Sequence, residues 1–354
     1  VIGTRAFAYL LFAILSAPAQ PVTDLGVYIG WVSTVPGDPV LSGADLAKRA
    51  GFHTIRLPLE NLTAKPSPCS QSYWNVIADP AFTTIFLTTW GDSNSYDPCS
   101  PRNPRTDQRP KKLYLQKSYY TPENRERMRA EYSNLAYRLA QADHTSRKTF
   151  VISNWEGDNE LYCDAAALFA IDPAFRTACE AQRKTEDVLD AYRTYLTLRH
   201  QGIADGVDRA KRAGFTGVPV LDMIEFSSLR MLKEKGLPDM LDTVIPNVPA
   251  TNFIGYSAWE SLGDPLFADL KTLKKSFGSR FLVGEFGFDR GLLPDAPARA
   301  AQTRNTISEA GIPYAFLWQI ADQPPLEGLG DKGLYGLYDK DRHLTTMGAK
   351  LLHK

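Results

Sequence analysis

The chain carries only five histidines: His53, His144, His200, His343 and His353. None stands at a strand end beside a serine or cysteine, and no G-x-S-x-G elbow occurs, so a Ser-His-Asp hydrolase finds little support. There is no C-x-x-C pair and no His/Cys cluster, which argues against structural zinc. No short-spaced His/Asp set is expected to hold a metal, so the expected site has neither metal nor cofactor. An excess of one charge is missing too: Lys+Arg and Asp+Glu are both 40, for a net charge of zero. That balance argues against a nucleic acid or an anionic membrane surface as partner and suits a neutral one. Val32-Ser33-Thr34-Val35-Pro36-Gly37, after the first expected strand, is not a Gly-rich phosphate loop, which counts against an open dinucleotide-binding sheet. No linker divides the chain, and no repeat of roughly 20–50 residues occurs.

Long hydrophobic runs are scarce as well. The longest, Ala6 to Leu15, is too short to span a bilayer. It follows Arg5 and precedes Ala17-Pro18-Ala19, an A-x-A cleavage pattern. Residues 1–19 are therefore expected to be a secretory signal, with the mature chain starting near Gln20. Export, to the medium or a periplasm, permits disulfides. The four cysteines, Cys69, Cys99, Cys163 and Cys179, allow three pairings. Cys69–Cys99 and Cys163–Cys179 are favoured because each closes a local excursion. Asn61-Leu62-Thr63 is a glycosylation sequon.

What the chain has is alternation. Apolar strands are expected at Leu25–Trp31, Phe52–Leu57, Thr84–Trp90, Thr149–Asn154, Val218–Ile224, Phe253–Trp259, Phe281–Phe286 and Pro313–Trp318. Helices are expected between them, one from Ser42 as N-cap to Ala50, another starting at Thr121-Pro122, and a long one over about 186–213. Further helices are expected over Pro265–Phe277, Pro297–Ala310 and Met347–Leu352. A polar loop covers 91–118, and an insertion with two cysteines covers 161–186. Eight strands in βα alternation, most of them continuously apolar, predict a buried parallel sheet closed into a (β/α)8 TIM barrel. Residues 20–354, about 330, suit one such domain with inserted loops, expected to act as a monomer.

Active-site groups of such a barrel sit at the C-terminal ends of its strands. Five of the six tryptophans stand at expected strand ends: Trp31, Trp90, Trp155, Trp259 and Trp318. Tryptophans gathered at one rim suggest platforms for the flat apolar face of a sugar ring. Two glutamates, about 130 residues apart, end the fourth and seventh strands: Glu156 in Asn154-Trp155-Glu156-Gly157-Asp158 and Glu285 in Gly284-Glu285-Phe286-Gly287. Paired carboxyls are what glycosidic hydrolysis needs, one to protonate the leaving oxygen and one to attack or to activate water. Asp158 is a candidate to touch substrate or to buffer the acid. Glu225 and Glu260 are either substrate contacts or loop acids paired with nearby Lys or Arg.

At these residues the chain resembles clan A of the glycoside hydrolases, the retaining barrels that include family-five cellulases and mannanases. Thr54-Ile55-Arg56-Leu57-Pro58 resembles the clan's strand-two arginine element. Val283-Gly284-Glu285-Phe286-Gly287 resembles its nucleophile element, and Tyr256 and Phe316-Leu317-Trp318 fit its strands six and eight. Gly336-Leu337-Tyr338-Asp339 with Thr345-Thr346-Met347-Gly348 resembles its tail. The resemblance implies a retaining glycosidase with Glu285 as nucleophile and a strand-four acid/base. It also implies that Arg56 and Tyr256 orient Glu285, that Asn154 contacts the sugar 2-hydroxyl, and that Trp318 floors the cleaved subsite. In the clan the acid directly follows an asparagine, whereas here Trp155 intervenes and an adjacent pair occurs later, at Asn159-Glu160. Glu156 is preferred as the acid because Gly157-Asp158-Asn159 looks like a turn leaving the barrel; Glu160 is the alternative. A barrel that binds carbohydrate without cleaving it, and a transglycosylase using the same pair, are the competing functions.

Overall fold

The structure is a computed structural model that describes residues 23–30, 33–59, 68–91, 112–142, 148–325 and 330–352. Eight strands close a parallel barrel in sequence order, β1 pairing with β2 and with β8. They are β1 Asp24–Tyr28, β2 Thr54–Pro58, β3 Thr84–Thr88, β4 Thr149–Ser153, β5 Val220–Phe226, β6 Phe253–Ser257, β7 Phe281–Phe286 and β8 Tyr314–Leu317. Their residues are mostly buried on both faces, the condition that makes a parallel strand read as an unbroken apolar run. Toward the N-terminal end, Phe86, Phe253, Tyr314 and Phe316 fill the bore, with ring centroids 4.5–6.2 Å apart where Phe86 meets the other three. The bore there is packed rather than open, as expected of an eight-stranded barrel.

The helices are α1 Pro39–Ala50, α2 Pro68–Ala78, α3 Pro122–Ala142, α4 Gly157–Leu161, α5 Ala166–Ile171 and α6 Pro173–Gln182. They continue with α7 Thr185–Arg212, α8 Met231–Glu234, α9 Leu266–Phe277, α10 Ala296–Glu309 and α11 Thr346–Leu352. α1 starts three residues before the expected Ser42. Asp38 is its N-cap, its carboxylate accepting from Val40 and Leu41 N–H, and Pro39 opens the first turn. α7 lies close against α3 because Gly202 and Gly206, one turn apart, face the α3 backbone. A Cβ at either would stand 2.4 or 2.3 Å from a carbonyl oxygen of α3.

The insertion after β4 is mostly helical, as α4, α5 and α6, and Cys163–Cys179 is a disulfide that staples it. In the chain-entropy model a loop of ~15 residues closed this way gains ~3 kcal/mol. The expected leader 1–19, Trp31, the sequon at 61–63, most of the 91–118 loop and the Cys69–Cys99 pairing lie outside the residues described. No described helix is long and apolar enough to cross a membrane.

Candidate active site

The C-terminal mouth of the barrel is built on one buried ion pair. Arg56 of β2 and Glu225 of β5 are both fully buried and meet in two N–H···O bonds of 2.6 Å. This fork uses the planar geometry that arginine offers a carboxylate. Arg56 also donates to Thr88 Oγ1 on β3 and to the carbonyls of Gly284 and Asn154. Burial works against its charge, but Glu225, with Tyr28 and Glu285 added, outweighs it, and its pKa rises. Glu225 in turn accepts from Ser257 Oγ and from the backbone N–H of Glu156. One pair of charges therefore joins β2, β3, β4, β5, β6 and β7. Gly284 is what lets them close. A Cβ there would stand 2.0 Å from Glu225 Oε1.

Asn154 clasps β4 to β5. Its Oδ1 accepts from Glu225 N–H at 3.0 Å, and its Nδ2 donates to the carbonyls of Glu225 and Trp155. Both amide hydrogens are thus committed to backbone. Beyond it the chain leaves the barrel, and Glu156 is the N-cap residue of the one-turn helix α4. Its Oε2 accepts from Asn159 Nδ2 at 2.5 Å. Its Oε1 is buried without a hydrogen-bond partner among the described residues.

Glu285 sits on β7 itself. The register shifts on both sides of it, between Tyr256 and Ser257 on β6 and between Val283 and Phe286 against β8. Such an irregularity re-aims side chains. Glu285 Oε1 accepts from Trp259 Nε1 at 2.9 Å, and Oε2, like Glu156 Oε1, has no partner among the described residues. Both glutamates are only 5% exposed. Burial pushes Glu156 up to about 7, helped by the negative charge of Glu225 and opposed by the Asn159 bond. Burial also holds Glu285 well above the usual carboxylate range, with repulsion from Glu156 and Glu225 added and Arg56 opposing. Two carboxyls that repel in a dry pocket resist ionising together. Each offers one unengaged oxygen.

No protein-family model matches the sequence, and no curated protein does. Solved structures do. An exo-β-1,4-mannosidase from Opitutaceae bacterium strain TAV5 matches at a TM-score of 0.57 and 14% identity, over 95% of this chain and 61% of that one. A GH5_18 protein from Streptomyces cattleya, in complex with Manβ1-4GlcNAc, matches at 0.55 and 14%, over 94% and 79%. A broad-specificity GH5-4 endoglucanase from Clostridium acetobutylicum matches at 0.51 and 13%, over 93% and 96%. The chain has the fold of the clan A glycoside hydrolases. It spans only 61% of the length of the mannosidase.

Within this barrel several residues stand otherwise than expected. Arg56 forks onto Glu225 rather than onto Glu285, and on β7 it meets the carbonyl of Gly284, the residue before Glu285. Tyr256 does not touch Glu285: its hydroxyl meets Ser261 Oγ at 2.6 Å and its ring stacks on Phe226. Tyr28 of β1 stands nearer. Its ring lies 4.8 Å from the Arg56 guanidinium and 4.9 Å from the Trp318 ring. Its buried hydroxyl makes no hydrogen bond of good geometry, yet it is close enough to lower the Glu285 pKa. The Asn154 amide is spent on strand five rather than directed at a sugar. Asp158 is fully buried and accepts the N–H groups of Ser227, Ser228 and Met240, so it anchors α4 and does not face substrate. Burial raises it to about 6 despite those bonds. Glu160, the alternative acid, is enclosed by Lys112, Tyr114 and Tyr192.

Trp259 serves as a hydrogen-bond donor to Glu285, with Tyr335 edge-on to it at 6.0 Å. Trp318 is 8% exposed at the foot of the mouth, and a cis peptide follows it. Trp155 lies beneath the Lys112 ammonium, and Trp90 is half-buried with its carbonyl accepting from the Tyr132 hydroxyl. Glu225 proves to be the arginine's partner. Glu260 accepts the N–H groups of Leu229, Arg230 and Met231 at the start of α8. One cluster was missed: Asp339, Asp341 and His343 bring a potential ligand atom each within 4.8 Å of the others. It is a surface turn in which Asp339 Oδ1 already accepts the N–H groups of Asp341 and His343. Tyr28 carried no signal in the sequence beyond its place on an apolar strand, and Asn159 stood out only as the residue before Glu160, the alternative acid.

Proposed function

We propose that the chain is a secreted, monomeric, retaining glycoside hydrolase that cleaves an O-glycosidic bond in an oligo- or polysaccharide. The observation that carries this is the pair Glu156 and Glu285: two buried carboxyls at the ends of β4 and β7, electrostatically coupled, each with one oxygen unengaged. A binding-only barrel has use for aromatic walls but none for such a pair. The neighbours described above as a mannosidase and an endoglucanase support the same bond type. The leader pattern at 1–19 and the Cys163–Cys179 disulfide support export.

In this reading the proton resides on Glu156 Oε1 when substrate binds. Glu285 Oε2 attacks the anomeric carbon while Glu156 gives its proton to the leaving oxygen, and a glycosyl ester forms on Glu285. Glu156, now a carboxylate, takes a proton from water, the water oxygen attacks the anomeric carbon, and the ester bond breaks to free Glu285. Before substrate binds, burial and repulsion hold Glu285 higher than Glu156, so binding has to move the proton to Glu156; the Trp259 N–H on Oε1 is the contact that favours Glu285 as the ionised partner during attack. Trp318 and Tyr28 wall the bond-breaking subsite. Asn154 and Asp158 hold the frame and do not touch the sugar.

The test is turnover of a panel of aryl glycosides, with NMR of the first-formed anomer. Retention, lost together with all turnover in Glu285→Ala, is the expected result. Oligosaccharide binding without any turnover would favour the binding-only barrel, and transfer to sugar acceptors with water excluded would favour the transglycosylase. A first product of inverted configuration would sink the double displacement.

A further inference from the structure

We infer that Asn159 is the positioning residue of the strand-four glutamate: its amide engages Oε2 of Glu156 and so leaves Oε1 as the oxygen that exchanges the proton. This rests on the assignment of Glu156 as the acid. The orientation of the Asn159 amide is fixed from behind. Its Oδ1 accepts the backbone N–H of Ala166, the first residue of α5, at 2.9 Å. With its oxygen so committed, only its NH2 can face Glu156. A carboxyl that meets a donor at one oxygen carries its own proton on the other. Here that other oxygen is Oε1, buried and without a partner among the described residues.

The mount of Asn159 is rigid on three sides. Asp158, before it, ties α4 to the loop after β5 through Ser227, Ser228 and Met240. Glu160, after it, ties α4 to Lys112, Tyr114 and Tyr192. Asn159 ties α4 to α5, whose start lies just past Cys163 of the disulfide. Three consecutive polar residues therefore point to three different walls. A one-turn helix has too few internal bonds to hold its own shape, and these contacts supply what it lacks.

The charges facing Glu156 come from other elements: Glu225 on β5 and Glu285 on β7 are negative, Arg56 on β2 is positive, and the Ser257 hydroxyl of β6, whose hydrogen bond goes to Glu225, stabilises the anion by proximity. Asn159 is the donor to Glu156 from its own segment. Of the influences that lower the Glu156 pKa, its bond is the largest. Removing it leaves the carboxyl to burial and to two like charges, so the proton is held more tightly.

The experiment is a pH titration of the full chain labelled with 13C at the glutamate carboxyls. The Glu156 signal is assigned by its loss in Glu156→Gln. In Asn159→Ala its midpoint should rise by about one pH unit, the scale of a lost hydrogen bond to a charged group. In parallel, kcat/KM on a phenyl β-glycoside should fall about tenfold or more, while a dinitrophenyl β-glycoside, whose leaving group needs no proton, changes less than about threefold. An unmoved midpoint, or equal losses on both substrates, overturns the inference. Should Asn159→Ala fail to fold, Asn159→Asp keeps the shape, loses the donor when ionised, and must raise the same midpoint. A wild type that turns over no glycoside would end the glycosidase reading, while the titration would still decide whether Asn159 governs Glu156.

Discussion

The ends of β4 and β7 solve one problem, presenting a carboxyl to the barrel mouth, in two ways. Glu285 belongs to the strand. A register shift aims it, and Trp259 from the neighbouring strand's end holds one of its oxygens. Glu156 stands beyond its strand, on a one-turn helix held by side chains from the loops around it. The first arrangement is rigid because the sheet is rigid. The second is rigid only while its supports last. A difference of this kind suits two groups of which one attacks at a fixed point and the other gives up and recovers a proton.

The contrast can be broken most severely through the chemistry. Glu285→Gln should lower turnover on every glycoside by roughly 10⁴-fold or more. Glu156→Gln should do so by about 10²–10⁴-fold on poor leaving groups and far less on dinitrophenyl glycosides, measured by steady-state kinetics. Equal losses on both substrate classes would mean that the two glutamates are not divided as proposed.

Next comes the frame beneath both. Arg56→Met leaves Glu225 buried and unpaired, so it should cost about 3–5 kcal/mol in denaturant unfolding, whereas replacing both partners by apolar residues should cost much less. A single variant as stable as wild type would show that the pair is not the common support of the two strand ends.

The disulfide separates them. Cys163→Ser with Cys179→Ser should cost up to about 3 kcal/mol. Its kinetic effect should fall on proton transfer, through the mount of Glu156, and spare attack by Glu285. Similar losses for phenyl and dinitrophenyl glycosides would contradict that.

A smaller effect is expected in stability against pH. Glu156 in the folded chain rises from 4.5 to about 7. A raised carboxyl binds its proton more tightly when folded, so stability falls as pH climbs through that window, and the penalty is complete above it. Glu156→Gln should therefore stabilise the chain by on the order of 2 kcal/mol at pH 8 and by little at pH 4. Thermal unfolding at the two pH values checks this, and a gain equal at both would refute it.

How much of this was legible in the sequence follows the same division. β7 was bounded correctly at Phe281–Phe286, because Arg280 and Gly287 frame a short apolar run. The barrel itself followed from eight such runs. β5 begins and ends two residues later than expected, past Pro219, and this takes Glu225 from a loop into the strand and against Arg56. The partner of Arg56 was hidden for a physical reason: ion pairing across a barrel joins residues 169 apart, and periodicity carries no trace of it. The region after β4 was unreadable as helix because α4, α5 and α6 have five, six and ten residues, too short for a periodic face to emerge. Trp259 was seen as a flat surface, and its indole N–H proves to be bonded to Glu285. Asn154 and Asp158 were noticed as candidate sugar contacts, and in the structure their side chains bond backbone groups. Polar residues at a barrel mouth look alike in sequence whether they face the ligand or the backbone.

The Glu225 carboxylate has a consequence for how such a molecule can vary. It gathers an arginine, a serine hydroxyl and a backbone N–H, and it lies wholly out of reach of solvent. Of the three, only the N–H, that of Glu156, comes from beyond the strands. Rim segments other than the one that carries Glu156 are therefore free to lengthen, shorten or change composition, and with them the shape of what is accepted, while Arg56, Glu225 and Glu285 stay where the strands put them. Modularity of this kind makes grafting a foreign βα loop onto the mouth a reasonable engineering step. The same graft reaching down to Gly284, where no side chain fits, would disable the protein.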